Sequence, residues 1–177
     1  MPVSMYSVSV PVFIQHLSGL SGVLDKAAAH AAARKIKEED LLAMKLAPDM
    51  FPLLRQIRAA TDHAINGAGR PAGKEPLKFA NDETTFAQLK DRIAKTIEFL
   101  KSVKQSEIDG SEGKEIKITF PNGNVREFTG QSLLLGNRLL LARDVELLGR
   151  VRIRRVERHQ PVKLIDSRLP ALGLERL

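Results

Sequence analysis

The chain has 177 residues, of which 43% are hydrophobic, and it contains no cysteine. A chain of this length can bury a core without covalent staples, and the lack of cysteine excludes disulfides, thiolate metal sites and a cysteine nucleophile. The formal net charge is +7, but residues 136–177 contain ten basic and five acidic side chains and so carry +5 of it. This asymmetry separates the last quarter of the chain from the rest.

The N-terminal segment MPVSMYSVSVPVFIQHL has no basic residue ahead of its apolar residues and includes proline and histidine. It therefore fits a signal peptide poorly. No apolar run in the sequence approaches the roughly 20 residues that span a bilayer. We expect a soluble, cytoplasmic protein.

Two amphipathic helices are predicted in the first part of the chain, because apolar residues recur there at helical spacing. The first extends from about Val12 to Arg34, and a short helical turn follows in KEEDLLAMKLA. The second starts after APDMFP, where Asp49 is a candidate cap and Pro52 is tolerated in a first turn. Its predicted end is the glycine-rich stretch NGAGRPAG.

A third helix, from about Thr84 to Val103, has the most regular apolar stripe in the chain. Its candidate caps are Asp82 and Thr84. The apolar stripe consists of Phe86, Leu89, Ile93, Ile97 and Leu100. The charged residues that we place mostly away from this stripe are Lys90, Asp91, Arg92 and Lys95.

The segment EIKITFPNGNVREFTG changes from helical period to strict alternation, and its Asn-Gly pair is a hairpin signal. We predict a β-hairpin near residues 115–130. A leucine-rich fourth helix should follow from Gln131 to Leu148, although glycines and arginines blur its stripe. These elements predict an all-α protein, an antiparallel four-helix bundle with a small β-hairpin between helices three and four.

Several stretches in this order resemble the family called domain of unknown function DUF1993, which is similar to the DinB-like four-helix bundles. They are LDKAAAHAAARKI, LAPDMFPLLRQI, ATDHA, DETTFAQLKDRIAKTIEFL and EFTGQSLLLGN, and they cover about Val8 to Asn137. The resemblance implies a DinB-like fold that is often dimeric, and no established reaction. Several members of the wider DinB superfamily bind a divalent metal through one histidine on the second helix and two on the last. His63, in ATDHA, matches the first of these positions.

The resemblance ends where the metal site needs its other ligands. After LLLGN, family members continue with aromatic residues and the last-helix histidine. Here RLLLARDVELLGRVRIRRVERH has no histidine before His159. We therefore predict no cofactor, with a divalent metal at His63 as the alternative. Because leucine and arginine have many codons, a neighbouring reading frame of this segment can encode a sequence closer to the family's. A frameshift or altered splice is therefore one hypothesis for the C-terminal segment.

His63 has three interpretations: a packed or hydrogen-bonded structural residue, a metal ligand, or a catalytic base. Asp62 does not form a dyad with it by spacing, because neighbours on a helix point about 100° apart; a capping or solvated aspartate is expected. His16 and His30 lie on one helix roughly 21 Å apart, so they cannot share an ion. No phosphate loop or nucleophile elbow is present.

The basic segment GRVRIRRVER could bind phosphates through Arg150, Arg152, Arg154, Arg155 and Arg158. The alternative is a solvated basic tail.

We place a domain boundary at the start of this basic segment, with the helical domain at 1–149 and a loosely packed tail at 150–177. The sequence thus predicts a DinB-like protein that is non-catalytic or has an incomplete metal or small-molecule site; the alternative is a nucleic-acid-binding protein that uses the arginine-rich end.

Overall fold

The computed structural model describes residues 4–119 and 123–155, and the side chains as far as residue 145. In chain order its elements are α1 (Val10–Arg34), α2 (Glu38–Ala43), α3 (Leu53–Gly69), α4 (Phe86–Lys101), α5 (Gln105–Ile108), β1 (Glu115–Thr119), β2 (Val125–Thr129) and α6 (Gly130–Arg155). Residues 156–177 lie outside the described part. Helix α6 continues past residue 149 as far as Arg155. The domain boundary placed there and the loosely packed tail stay predictions.

Helix α1 buries one apolar stripe and begins two residues before its predicted start. Pro11 lies in its first turn, where a missing N–H leaves no helical hydrogen bond unmade. The helix ends at Arg34, and the next residue, Lys35, has a left-handed φ of 54°. The N–H of Ile36 then donates to the Ala31 carbonyl at 3.0 Å. The buried side chains are Val10, Phe13, Leu17, Leu20, Leu24 and Ala31.

The helix caps differ from the predicted ones. Asp49 does not cap α3, and no other described side chain does. Thr85 caps α4, rather than Asp82 or Thr84: its hydroxyl accepts from the N–H of Gln88, and the Gln88 side chain accepts from the N–H of Thr85. Aspartate and threonine have comparable capping preferences, so the path of the connection decides which of them is used.

Helix α4 has the predicted apolar stripe, but one charged residue points inward. The side chains of Phe86, Leu89, Ile93 and Leu100 are buried, whereas Ile97 is only partly buried. Arg92 is 2% exposed, so its predicted outward orientation is wrong. Its partners come from outside α4 and are described with the site.

The hairpin forms where it was predicted, near residues 115–130. Strands β1 and β2 pair antiparallel, with Ile116 opposite Phe128. Helix α6 then begins at Gly130, where a Cβ would lie 2.0 Å from the carbonyl oxygen of Ser111. Only glycine fits this close approach, which fixes the hairpin against the connection that precedes it.

Four long helices enclose the core. Helix α1 packs against α4 and α6, and α3 packs against the same two helices, most extensively against α6. Their buried side chains form one hydrophobic cluster. The predicted all-α fold with a small hairpin is confirmed, and the blurred leucine-rich segment is a continuous helix. None of the helices in the described part is both long and apolar enough to cross a membrane.

Candidate functional site

His63 lies near the middle of α3, on the side that faces α6. The close approach of these helices depends on Gly67, one turn later. A Cβ at Gly67 would lie 2.8 Å from the Cβ of Asn137 and 3.2 Å from the ring of Phe13. Glycine is therefore needed for α6 to pack this near. Helix α3 ends at Gly69, inside the predicted stretch NGAGRPAG, and Gly67 in the same stretch is a packing residue within the helix.

Asn137 on α6 fixes the orientation of the His63 ring. The Asn137 Nδ2 donates to the carbonyl of Leu133 at 2.8 Å, which leaves its Oδ1 as the acceptor 3.2 Å from His63 Nδ1. Because an amide oxygen only accepts, Nδ1 carries the hydrogen of this bond. In the neutral ring the lone pair is then on Nε2, on the opposite edge of the imidazole.

Asp144 faces that opposite edge. Its Oδ2 lies 3.7 Å from His63 Nε2, which is beyond hydrogen-bond distance. This oxygen is closed to solvent and accepts no hydrogen bond from the described residues. Burial raises the pKa of the Asp144 carboxyl, and the nearby His63 and Arg143 oppose this only in part. A buried acceptor without a donor is costly, and among the described residues Asp144 Oδ2 is such an acceptor.

Asp62, the sequence neighbour of His63, belongs to a different cluster. Its Oδ1 accepts a hydrogen bond of 2.6 Å from Arg92, and its side chain is half-exposed. Asp62 is therefore partly solvated, which was one of the two expectations, and it does not cap a helix. The guanidinium carbon of Arg92 also lies 4.2 Å from the centre of the Phe79 ring. Arg92 donates three further hydrogen bonds, of 2.7 to 2.8 Å, to Thr61, Asn81 and Glu83.

Glu83 joins two arginines. It accepts from Arg92 through Oε1 and from Arg58 through Oε2, at 2.7 Å each. Although burial of Glu83 opposes its ionisation most strongly, the hydrogen bond from Arg92 and the charges of both arginines lower its pKa. These hydrogen bonds attach the connection between α3 and α4 to both helices. The sequence did not reveal it, because the spacing of these residues carries no signal.

The other candidate residues do not join His63. The Nδ1 of His16 lies 2.9 Å from the carbonyl of Val12, to which it donates. Within residues 4–119 and 123–145, no group of three histidine, aspartate or glutamate side chains could hold a metal ion. His159 lies outside the described residues, and so do the side chains of Arg150, Arg152, Arg154, Arg155 and Arg158. Nucleic-acid binding through these arginines stays a prediction.

Comparison with known proteins supports the predicted relationship. The crystal structure of a DinB family member protein from Shewanella denitrificans is similar to this chain, with a TM-score of 0.74 and 29% sequence identity over 86% of each chain. No curated protein matches. The DinB-like character of the fold is therefore confirmed. The domain of unknown function DUF1993 matches residues 5–139, slightly more than the predicted Val8 to Asn137, and the chain belongs to this family.

Proposed function

We propose that this protein is a non-catalytic DinB-like binding protein whose site lies between α3 and α6. The ligand would be a small molecule with an ammonium group or another N–H donor. One observation carries the proposal: Asp144 Oδ2 is buried, accepts no hydrogen bond from the described residues, and lies 3.7 Å from His63 Nε2.

The chemistry of the gap defines the ligand. With its Nδ1 hydrogen committed to Asn137, a neutral His63 presents a lone pair at Nε2, and Asp144 presents the lone pairs of Oδ2. While His63 is neutral, no hydrogen lies between these two acceptors, which are 3.7 Å apart. A primary ammonium group has three hydrogens and a positive charge, so it would satisfy both acceptors and relieve the burial cost of the carboxylate.

The donor set favours binding over metal chemistry or catalysis. A stable zinc site takes three or four protein ligands, and among the described residues only His63 and Asp144 supply an imidazole nitrogen and a carboxylate oxygen at this place. This count of ligands supports our proposal that the metal site is incomplete. The partner of His63 Nδ1 is the neutral amide of Asn137, whereas the histidine of a serine-protease triad is oriented by a carboxylate that stabilises its protonated form.

An NMR titration tests the proposal with propylammonium chloride as the probe. We expect saturable shifts of the His63 ring nitrogens with a dissociation constant of about 1 mM, because a ligand of so few atoms cannot bind much more tightly. Asp144→Asn should abolish the saturation. Asp91→Asn, which removes an exposed carboxylate paired with Lys95, should leave it intact. Equal behaviour of the two variants would contradict the proposal.

Elemental analysis of the untagged protein tests the metal alternative. We expect less than one zinc, nickel or manganese ion per chain, because the described site offers too few ligands for stoichiometric retention. About one metal ion per chain, lost on His63→Ala, would show that His63 is a metal ligand after all.

We propose two further properties that the sequence predicts. The resemblance to DinB-like proteins supports a homodimer, and the composition of the N-terminal segment supports a cytoplasmic location. Neither property is needed for the ligand site, which is built from α3 and α6 of one chain.

A further inference from the structure

A cavity of about 420 Å³ lies where the chain just after α3 meets the turn between α5 and β1. Its volume is within the roughly 300–1,000 Å³ of small-molecule sites. Neither His63 nor Asp144 lines it, so it is a second candidate site, separate from the one between α3 and α6. The lining includes Pro71, Glu107, Asp109, Gly110, Ser111 and Lys114.

Hydrogen bonds hold the walls of this cavity in place. The left-handed φ of 89° at Gly110 favours glycine in the turn after α5. In the same turn the Ser111 hydroxyl donates to the carbonyl of Ile108 at 2.6 Å, and the N–H of Lys114 donates to the Ser111 carbonyl at 3.1 Å. The Lys114 Nζ donates to the carbonyl of Pro71 at 3.2 Å, which joins the two walls. Fixed walls lower the ordering cost of binding.

Two opposite charges line the cavity, and neither forms an ion pair within residues 4–119 and 123–145. Lys114 uses one of its three ammonium hydrogens, for the bond to the Pro71 carbonyl. The hydrogen bonds that Asp109 accepts come from uncharged donors, among them the N–H of Tyr6 and the side chains of Gln105 and Ser4. The bond from the Tyr6 N–H contributes most to lowering the pKa of Asp109, so this carboxyl is ionised at neutral pH.

Glu107 adds an acceptor to the lining. Its Oε2 accepts from the N–H of Lys104 at 2.7 Å and pairs with Lys74 at 3.1 Å, whereas its Oε1 accepts no hydrogen bond from the described residues. The bond from the Lys104 N–H is the largest cause that lowers the pKa of Glu107, so this side chain is also ionised at neutral pH. The cavity therefore presents an ammonium donor and a carboxylate acceptor with unused bonding capacity.

We propose that this cavity binds a zwitterion of the amino-acid type, with one carboxylate and one ammonium group. The Lys114 Nζ donates its unused hydrogens to the ligand carboxylate. Glu107 Oε1 accepts from the ligand ammonium group, and Asp109 adds negative charge that favours it. A simple anion is disfavoured because both carboxylates repel it, and a metal cation is disfavoured by the charge of Lys114. This selection differs from that between α3 and α6, because it requires both charges on one ligand.

Amide NMR titration tests the proposal with 4-aminobutyrate, and with butyrate and propylammonium, which each lack one of its charges. We expect saturable shifts of the Gly110, Gly113 and Lys114 amides by 4-aminobutyrate, with a dissociation constant of about 1–10 mM for so small a ligand. The singly charged compounds should bind at these amides at least about fivefold more weakly, because each leaves one charge of the cavity without a partner.

Three outcomes of this titration would overturn the proposal. The first is a lack of saturation by about 50 mM 4-aminobutyrate, and the second is equal binding of all three compounds at the cavity amides. The third is a set of shifts confined to the His63 ring, which would leave the proposed site between α3 and α6 unaffected.

Matched substitutions locate the binding. Lys114→Met and Glu107→Gln should each weaken 4-aminobutyrate binding at least about fivefold, because each removes the charge that faces one end of the ligand. Lys117→Met and Glu127→Gln remove the same two charges from an exposed ion pair of the hairpin and should leave the dissociation constant unchanged. Circular dichroism should show folded variants, because Lys114 is exposed and Glu107 half-buried. Equal weakening by the hairpin variants would overturn the proposal, because net charge would then explain the binding.

Discussion

Arg92 is buried, although arginine side chains in proteins are almost always exposed. Its burial is tolerated because Asp62, Glu83, Thr61 and Asn81 accept its hydrogen bonds. The sequence could not show this, because Asp62 comes from α3 and Glu83 from the connection before α4. Charge alone predicted exposure, and the tertiary contacts reversed that expectation.

Replacing Arg92 with methionine should lower the free energy of unfolding by about 3 kcal/mol, because Glu83 would stay buried with one arginine fewer to pair it. Urea unfolding monitored by circular dichroism measures this. The matched control on the same helix is Lys95→Met, which removes an exposed pair with Asp91 and should cost less than about 0.5 kcal/mol. Similar losses in the two variants would show that the buried cluster does not stabilise the fold.

Asp144 should make the folded state less stable at neutral pH than an uncharged side chain would. Its pKa is higher in the folded state than in the unfolded chain, so the folded form holds the proton more tightly. This tighter proton binding stabilises the folded state fully at a pH below the unfolded-state pKa of about 3.9. The stabilisation is lost as the pH rises from there through the raised pKa of the folded state. Asp144→Asn should therefore unfold at higher urea than the wild type at pH 7.

The advantage of Asp144→Asn should shrink as the pH falls through the raised pKa of Asp144, because the wild-type carboxyl then also becomes neutral. Urea midpoints at pH 7, 5.5 and 4 measure the trend. A difference that stays constant with pH would mean that the substitution acts through packing. The same variant should lose propylammonium binding, so stability and ligand binding would change in opposite directions, as is common for binding sites.

Local sequence signals predicted the helices and strands better than they predicted the helix ends and the contacts between helices. The stripes of α1 and α4 and the alternation of β1 and β2 depend on residues that are near in sequence, so periodicity was sufficient. The stripe of α6 was irregular because glycines and arginines interrupt it, and its leucines are also partly buried and partly exposed. Gly67 was interpreted as part of a helix stop, because a glycine that admits a neighbouring helix has the same sequence signature as one that ends a helix.

Gly67→Ala should separate these two roles of glycine. The added methyl would lie 2.8 Å from Asn137 Cβ, and we expect a loss of about 1–3 kcal/mol. Gly22→Ala in α1 meets nothing within 4 Å and should stabilise by up to about 1 kcal/mol. Urea unfolding at about 1 µM protein limits any contribution from association. Equal effects of the two alanines would mean that α3 and α6 do not need this close approach.

Only part of the candidate site was predictable, because its residues are far apart in the sequence and meet only in the folded chain. The resemblance identified His63, but Asn137 contacts it across 74 residues of chain, and Asp144 is still farther along. Neither residue is the last-helix histidine that the resemblance to metal-binding DinB-like proteins led us to look for, so no motif marked them. A possible signal was their spacing: they lie two turns apart on a leucine-rich helix, which places two polar side chains on one side of it.

The packing of α3 against α6 also has a consequence for biosynthesis. Helix α6 is the last described element to leave the ribosome, yet it is the most extensive partner of α3. Until it arrives, α1, α3 and α4 expose the apolar groove that Leu134 and Leu141 later fill. Nascent or truncated chains that lack α6 would therefore present a surface for chaperones and proteases, and cellular quality control could distinguish them from finished copies by this groove alone.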